Sequence, residues 1–449
     1  MGLMCGTAKR DITPPESMMG QIYGLMGIPY VKVIDPLYVR VIAFDNGMDK
    51  ALIVSFDLDK APKPTEFLAL LRSHTGIAEE NILYFATHTH SAPLTTIRPK
   101  ERKQALPPQW ETNMRLYEEL VEKQLIACAD QALLNLRPAS IGYGKGKSYI
   151  NVNRNRDFMV EGEDGALYPV VCQGPNNQAD VDREVFVFQV KDETGKPMAF
   201  FVNYAVHCCG MFLNQADGKG GMGVSPDLAG AVSCMLENKY PQSLAVWSSG
   251  AAGNVNPILG TEVYYPDAKN GEAKGYNIPD AAISDALVKS LAYRHFADVL
   301  EIIRGIADHS NEAEIAGAVE WSETPSYEME EVAPRVTKIV GESGSPYRIR
   351  MQLLRIGGIA LCGIGGELYD SFGRMLKENA KLPAICVINH NASLIDDAGY
   401  ILDDDTMARV RRQQPYAPKI PGGQIAAKAG YIGPSLLEHE ESLFSKVIA

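Results

Sequence analysis

The chain has 449 residues, 46% of them hydrophobic and 22% charged, with 43 basic side chains against 55 acidic ones and a formal charge of −12. This is ordinary globular composition with ample material for a core, and the acidic balance argues against nucleic acid or an anionic membrane as a main partner. No run approaches the roughly 20 apolar residues that span a bilayer. The start, Met1 to Gly6, meets Arg10 and Asp11 too soon to hold the apolar stretch of a secretory signal. Eight cysteines, none in a C-x-x-C pair, read as reduced thiols, so a cytoplasmic protein is expected. The pair Cys208-Cys209 beside His207 leaves a soft metal ligand open.

In chain order, short apolar runs bounded by turn residues alternate with stretches whose apolar residues recur near every 3.6 positions. Residues 51–56 (ALIVSF) predict a strand, 65–73 a helix, 82–86 (ILYFA) a strand and 110–135 a long helix. Strands follow at 185–190 and 199–206, a helix at 226–238, a strand at 244–247 and a helix at 281–306. Strands at 349–356 and 359–362, a helix at 367–379 and a strand at 385–388 complete the set. Pro226-Asp227 suits a first helical turn, where proline sacrifices no hydrogen bond and the acid favours the dipole. Strands and helices intermix throughout, which defines an α/β or mixed α+β class. The stretch 259–279, rich in Gly, Asp, Lys and Tyr, is expected as a surface loop and candidate lid, and 322–345 as a second polar break. Neither divides the chain, so residues 1–449 are expected to form one domain.

The eight histidines separate into two groups. His74, His295, His309 and His439 lie on expected helices or polar turns and read as surface or packing residues. His88, His90, His207 and His390 fall at the ends of apolar strands, where α/β sheets gather their ligands. On an extended backbone, residues two apart point to one face. His88 and His90 would then both ligate a metal, or one would ligate while the other carries protons. Glu367, directly after the turn Gly363-Ile364-Gly365-Gly366 and at the start of an expected helix, supplies a carboxylate beside a closely approaching backbone.

These segments resemble, in order along the chain, the catalytic domain of the neutral ceramidase family. The match runs through Gly6-Thr7-Ala8-Lys9-Arg10-Asp11-Ile12-Thr13-Pro14, Asp35-Pro36-Leu37-Tyr38-Val39-Arg40, and Thr87-His88-Thr89-His90-Ser91-Ala92-Pro93, which is similar to that family's THTHSGP. It continues through Asn153-Arg154, Asn203-Tyr204-Ala205-Val206-His207, SGAAGNVNP from Ser249, Gly365-Gly366-Glu367 and Gly399-Tyr400. The resemblance implies β-sheets packed together and flanked by helices. It also implies Zn²⁺ held by His88, His207, Glu367 and Tyr400, with His390 the natural substitute for Tyr400. His90 becomes a group that bonds substrate or moves a proton, and Arg154 one that binds an oxyanion.

Two departures limit the substrate. Asn256 stands where the family segment GDVSPN has its serine; an amide donates a hydrogen bond but is no nucleophile. The chain is also expected to lack the C-terminal immunoglobulin-like domain that ceramidases carry, and no membrane-binding stretch is read in it. The expected function is therefore a zinc-dependent hydrolase that cleaves an amide C–N bond of a small soluble substrate with a metal-activated water. His90, Arg154 and Asn256 would stabilise the oxyanion. The same site would serve an ester or glycosidic bond, and a non-catalytic, metal-stabilised binding protein is the alternative from another class. A serine hydrolase built on Ser248 or Ser249 lacks the G-x-S-x-G turn.

Overall fold

Two β-sheets face each other in the computed structural model, and helices cover the outer face of each. The structure describes residues 2–95, 107–161, 165–259, 262–267, 272–277, 280–333, 336–392, 399–412 and 425–448. The first sheet has eight strands in the order Leu244–Ser249, Pro197–Tyr204, Glu184–Asp192, Arg137–Lys147, Met4–Asp11, Tyr38–Asp45, Lys50–Phe56 and Ile82–Ala86. The second has four: Ile315–Thr324, Tyr347–Ile356, Ile359–Ile364 and Ala384–Ile388. The helices among the described residues are α1 (Pro64–Thr75), α2 (Pro108–Leu134), α3 (Asp227–Lys239), α4 (Ala281–Gly305), α5 (Asp370–Asn379), α6 (Asp404–Arg412) and α7 (Ile432–Ile448).

Strand alternation produces the layers. Along Tyr38–Asp45, Val39, Val41 and Ala43 share a buried cluster with Phe67 of α1 and Tyr117 and Leu125 of α2. Ile42 and Phe44 point the other way, into a cluster with Leu354, Ile356, Leu361 and Ile388 of the second sheet. Val187, Val202 and Trp247 meet α3 and α4 through Leu236 and Val299. Met351, Leu353 and Cys362 meet α5 and α7 through Phe372 and Leu443. The order is helices, sheet, sheet, helices, as the resemblance implied. Aromatic rings fill the seam between the sheets, with Phe188 stacked on Phe201 at 5.0 Å. Truncating either to alanine would cost about 3–5 kcal/mol.

Three strand pairs in these sheets run parallel, each joined by a helix: Lys50–Phe56 to Ile82–Ala86 through α1, Pro197–Tyr204 to Leu244–Ser249 through α3, and Ile359–Ile364 to Ala384–Ile388 through α5. Parallel pairing requires such a crossover and buries both strand faces, which explains the continuous apolar runs. It also brings both carboxyl ends of each pair to one edge. Asp59 and His88, His207 and Ala252, and Glu367 and His390 lie just past those six ends.

The expected loop at 259–279 and the polar break at 322–345 each contain a strand pair. Glu262–Asp267 pairs with Glu272–Asn277 inside 259–279, the residues between and beside them lying outside the described set. Ser326–Ala333 pairs with Val336–Glu342 inside 322–345. Backbone hydrogen bonds hold such arms together without an apolar run to announce them. Seven described cysteines are free thiols. No helix among the described residues is long and apolar enough to cross a membrane.

Candidate metal centre

The strand Ile82–Ala86 stops short of the histidine pair. His88 adopts a left-handed backbone, φ +62°, a conformation that costs a non-glycine residue about 1–3 kcal/mol and persists where the surroundings impose it. The expected extended H-x-H with both rings on one strand face is thus corrected: the rings converge through a turn. His88 Nδ1 lies 2.7 Å from the Asp59 carbonyl oxygen, with Asp59 Oδ1 at 3.3 Å. A carbonyl only accepts, so Nδ1 carries the proton and Nε2 presents its lone pair to the interior. His90 donates its backbone N–H to the Cys208 carbonyl, and its Nε2 lies 3.1 Å from His88 Nε2.

His207 sits three residues beyond its strand and is fixed the same way. Its Nδ1 donates to the carbonyls of Ala252 at 2.7 Å and Val255 at 3.2 Å, freeing Nε2. Glu367 is not at a helix start. It opens a two-residue strand, Glu367–Leu368, in parallel register with Tyr400–Ile401, so that Glu367 pairs with Tyr400; α5 begins only at Asp370. The loop after Leu244–Ser249 presses against this strand, and a Cβ on Gly253 would lie 2.4 Å from the Glu367 carbonyl oxygen. Glu367 Oε2 reaches His207 Nε2 at 3.2 Å and His88 Nε2 at 3.5 Å.

The four groups are coupled. Burial pushes the Glu367 carboxyl up, but the imidazoles of His88 and His207 overcome this and hold it well below the usual carboxylate range. Burial also works against a charged His88, yet the neighbouring Glu367 and Asp59 raise its pKa. His207 drops to about 4 through burial and the nearby Arg154 charge. His90 falls well below the histidine range through burial and its two histidine neighbours.

Arg154, Asn256 and Tyr400 adjoin this cluster. The Arg154 guanidinium donates to the Gly253 carbonyl at 2.6 Å and to Asn256 Oδ1 at 3.2 Å, and lies 5.1 Å from the Tyr400 ring centre. The Tyr400 ring stands 6.2 Å from that of His207, nearly parallel to it. His390 is buried, also at positive φ, and stacks on His88 with ring centres 3.7 Å apart. Among the described residues, two groups can hold an ion: His88, His90 and His207, and His88, Glu367 and His390. Neither contains Cys208 or Cys209, so the soft-ligand reading finds no support.

Sequence reasoning missed two supports. Asp59, at the end of FDLD, orients His88. Asn254 and Asp370 clasp each other through Asn254 Nδ2 to Asp370 Oδ1 at 2.6 Å and Asp370 N to Asn254 Oδ1 at 2.9 Å, while the Asn254 carbonyl accepts from Arg154 N. Both hint at themselves only as polar residues at strand ends. Ser248 and Ser249 are buried in strand and bond to backbone carbonyls, with no histidine base at hand. His295 is a core residue against Ser148, whereas His74 pairs with Asp130 at 2.7 Å on the surface, an acidic neighbour the sequence did not reveal.

No family model matches the sequence, and no curated protein does. Solved structures do match. Neutral ceramidase from Pseudomonas aeruginosa superposes with a TM-score of 0.67 at 16% identity, covering 100% of this chain and 74% of that one. A ceramidase complexed with C2 gives a TM-score of 0.70 at 14% identity, covering 100% of this chain and 75% of the other. The chain therefore has the neutral ceramidase fold, with a buried His/Glu cluster at the strand ends that can hold a metal ion.

Proposed function

We propose that the protein is a zinc-dependent hydrolase cleaving an amide C–N bond of a small soluble substrate. One observation carries this reading: in a ceramidase fold, His88 Nε2 and His207 Nε2, each freed by a carbonyl on its Nδ1, converge on Glu367 Oε2 at 3.5 and 3.2 Å. Two imidazoles and a carboxylate are a donor set suited to Zn²⁺. Tyr400 is the fourth donor the resemblance implies, with His390 its substitute. When bound, such an ion lowers the pKa of water to about 7 and polarises a carbonyl.

The chain's own groups do the rest. His90 is held neutral by burial, so its Nε2 can take a proton from the attacking water and return it to the leaving nitrogen. Arg154 stays charged, and its two bonds fix the guanidinium plane beside the cluster as a donor for the tetrahedral oxyanion. Asn256 accepts from Arg154 through Oδ1, and its amide N–H groups would serve as a second donor to the oxyanion. The formal charge of −12 disfavours an anionic membrane surface and supports a soluble substrate.

Metal analysis of purified protein is expected to give about one equivalent of zinc, lost in His88→Ala and in His207→Ala. Chelation should abolish hydrolysis across a panel of amides, esters and glycosides, with amides cleaved best. A native protein without metal would overturn the reading, and an ester or glycoside preference would redirect the bond.

A further inference from the structure

Arg154 is tied at both ends to one short loop. Its backbone N–H donates to the Asn254 carbonyl at 2.8 Å, and its guanidinium to the Gly253 carbonyl at 2.6 Å and Asn256 Oδ1 at 3.2 Å. Arginine and loop therefore move as one body. That loop is pinned in turn to the segment carrying Glu367. Gly253 N–H donates to the Leu368 carbonyl at 2.9 Å. Asn254 and Asp370, both buried, exchange two bonds: Asn254 Nδ2 to Asp370 Oδ1 at 2.6 Å and Asp370 N to Asn254 Oδ1 at 2.9 Å. Asp370 opens α5 and is braced from behind. Its Oδ2 accepts from Asp182 N at 3.3 Å and lies 3.4 Å from Arg374 Nη2, while Lys377 Nζ holds the Asp182 carboxylate at 2.6 Å. Asp370 is thus the fixed half of the clasp, and Asn254 the half that carries the loop.

We propose that Asn254 is a positioning residue: its clasp with Asp370 sets the spacing between Arg154, the donor to the oxyanion, and Glu367, on the metal side of the site. This rests on the hydrolase reading above. An oxyanion donor acts only within about 2.7–3.1 Å of the developing charge, and a misplacement of about 1 Å costs roughly 10²-fold in rate. The bond from Asn254 Nδ2 ends on a carboxylate and is of the stronger, charge-assisted kind, whereas the Gly253–Leu368 bond joins neutral backbone. An amide suits this position because it donates to a carboxylate through Nδ2 while accepting a backbone N–H through Oδ1. An aspartate there would set two carboxylate oxygens against each other across the 2.6 Å that the bond now spans. The loop would be pushed from the Glu367 segment, and Arg154 would travel with it.

The test is hydrolysis of an amide from the panel above, with zinc saturating because the same loop supplies the carbonyls on His207 Nδ1. Asn254→Asp should lower kcat by roughly 10–100-fold and leave KM within about threefold of wild type. Adding Asp370→Asn, which exchanges amide and carboxylate across the clasp, should return kcat to within about threefold of wild type. A clasp that only stabilises the fold predicts otherwise: urea stability would fall and recover across the series while kcat of the folded protein stays at the wild-type value. That result overturns the proposal, as does a loss of kcat that the double variant fails to repair. Asn254→Ser keeps an acceptor for Asp370 N but loses the Nδ2 arm. It gives the comparison if the aspartate variant does not fold, and an unchanged kcat there overturns the proposal equally. Wild-type protein that hydrolyses no member of the panel sinks the hydrolase reading and this inference with it, whereas an active wild type with kcat indifferent to Asn254 sinks only the inference.

Discussion

Glu367→Gln separates the charge of the carboxylate from its shape. Oε2 lies 3.2 Å from His207 Nε2 and 3.5 Å from His88 Nε2, in a site where all three side chains are buried. At an effective dielectric of ~20, a unit charge at this range is worth about 5 kcal/mol. Breaking a buried ionic contact by removing one partner costs about 3–5 kcal/mol in measured cases. The amide is isosteric, so packing against Gly253 and the register with Tyr400 should survive. Affinity for Zn²⁺ is therefore expected to fall by roughly 10²–10⁴-fold, the equivalent of that free energy. Competition with a chromophoric chelator measures it, with circular dichroism to establish that the variant is folded. Affinity within tenfold of wild type would show that the carboxylate is not in contact with the ion, and the convergence of donors on Oε2 would lose its meaning.

Further outcomes follow from other sites. Arg154→Lys keeps the charge but loses the fork that spans Gly253 and Asn256. It should lower kcat by about 10²–10³-fold with little change in metal content; unchanged kcat would overturn the proposed oxyanion role of Arg154. Glu440, buried on α7 with Asn379 Nδ2 bonded to Oε2 and Oε1 unpartnered, has its pKa raised by burial from 4.5 to about 7. The folded state thus prefers its protonated form, and the stability it contributes is full below 4.5 and lost as pH rises through about 7. Glu440→Gln should leave stability unchanged near pH 4 and raise it by about 2–3 kcal/mol near pH 8, read from urea denaturation. A pH-independent difference would contradict the assignment.

What the sequence made legible follows the parallel strands. Ile82–Ala86 and Ala384–Ile388 are buried on both faces, so their apolar runs announce them with bounds within a residue. Met4–Asp11 and Arg137–Lys147 went unread, because polar residues line their exposed positions and only pairing in the finished sheet defines them as strands. The helix α7 was equally silent: its Ile and Leu positions acquire their partners from the second sheet. At the site, histidine spacing marked the right segment, yet the left-handed turn at His88 is a product of tertiary anchoring to Asp59. Glu367 was displaced in the expectation because its partner strand lies at Tyr400, a contact no local pattern encodes.

The three crossover units each bring their own strand ends to one edge, and this has a mechanical consequence. An ion held by His88, His207 and Glu367 would staple three sequence-distant parts of the chain at a single point. His207 and Glu367 alone are separated by 160 residues. By the chain-entropy reasoning used for disulfides, a cross-link closing a loop of that length removes roughly 5 kcal/mol of freedom from the unfolded ensemble. Metal would then act as a reversible tie between the two faces of the sandwich, so that loading the site and locking the sheets together are one event.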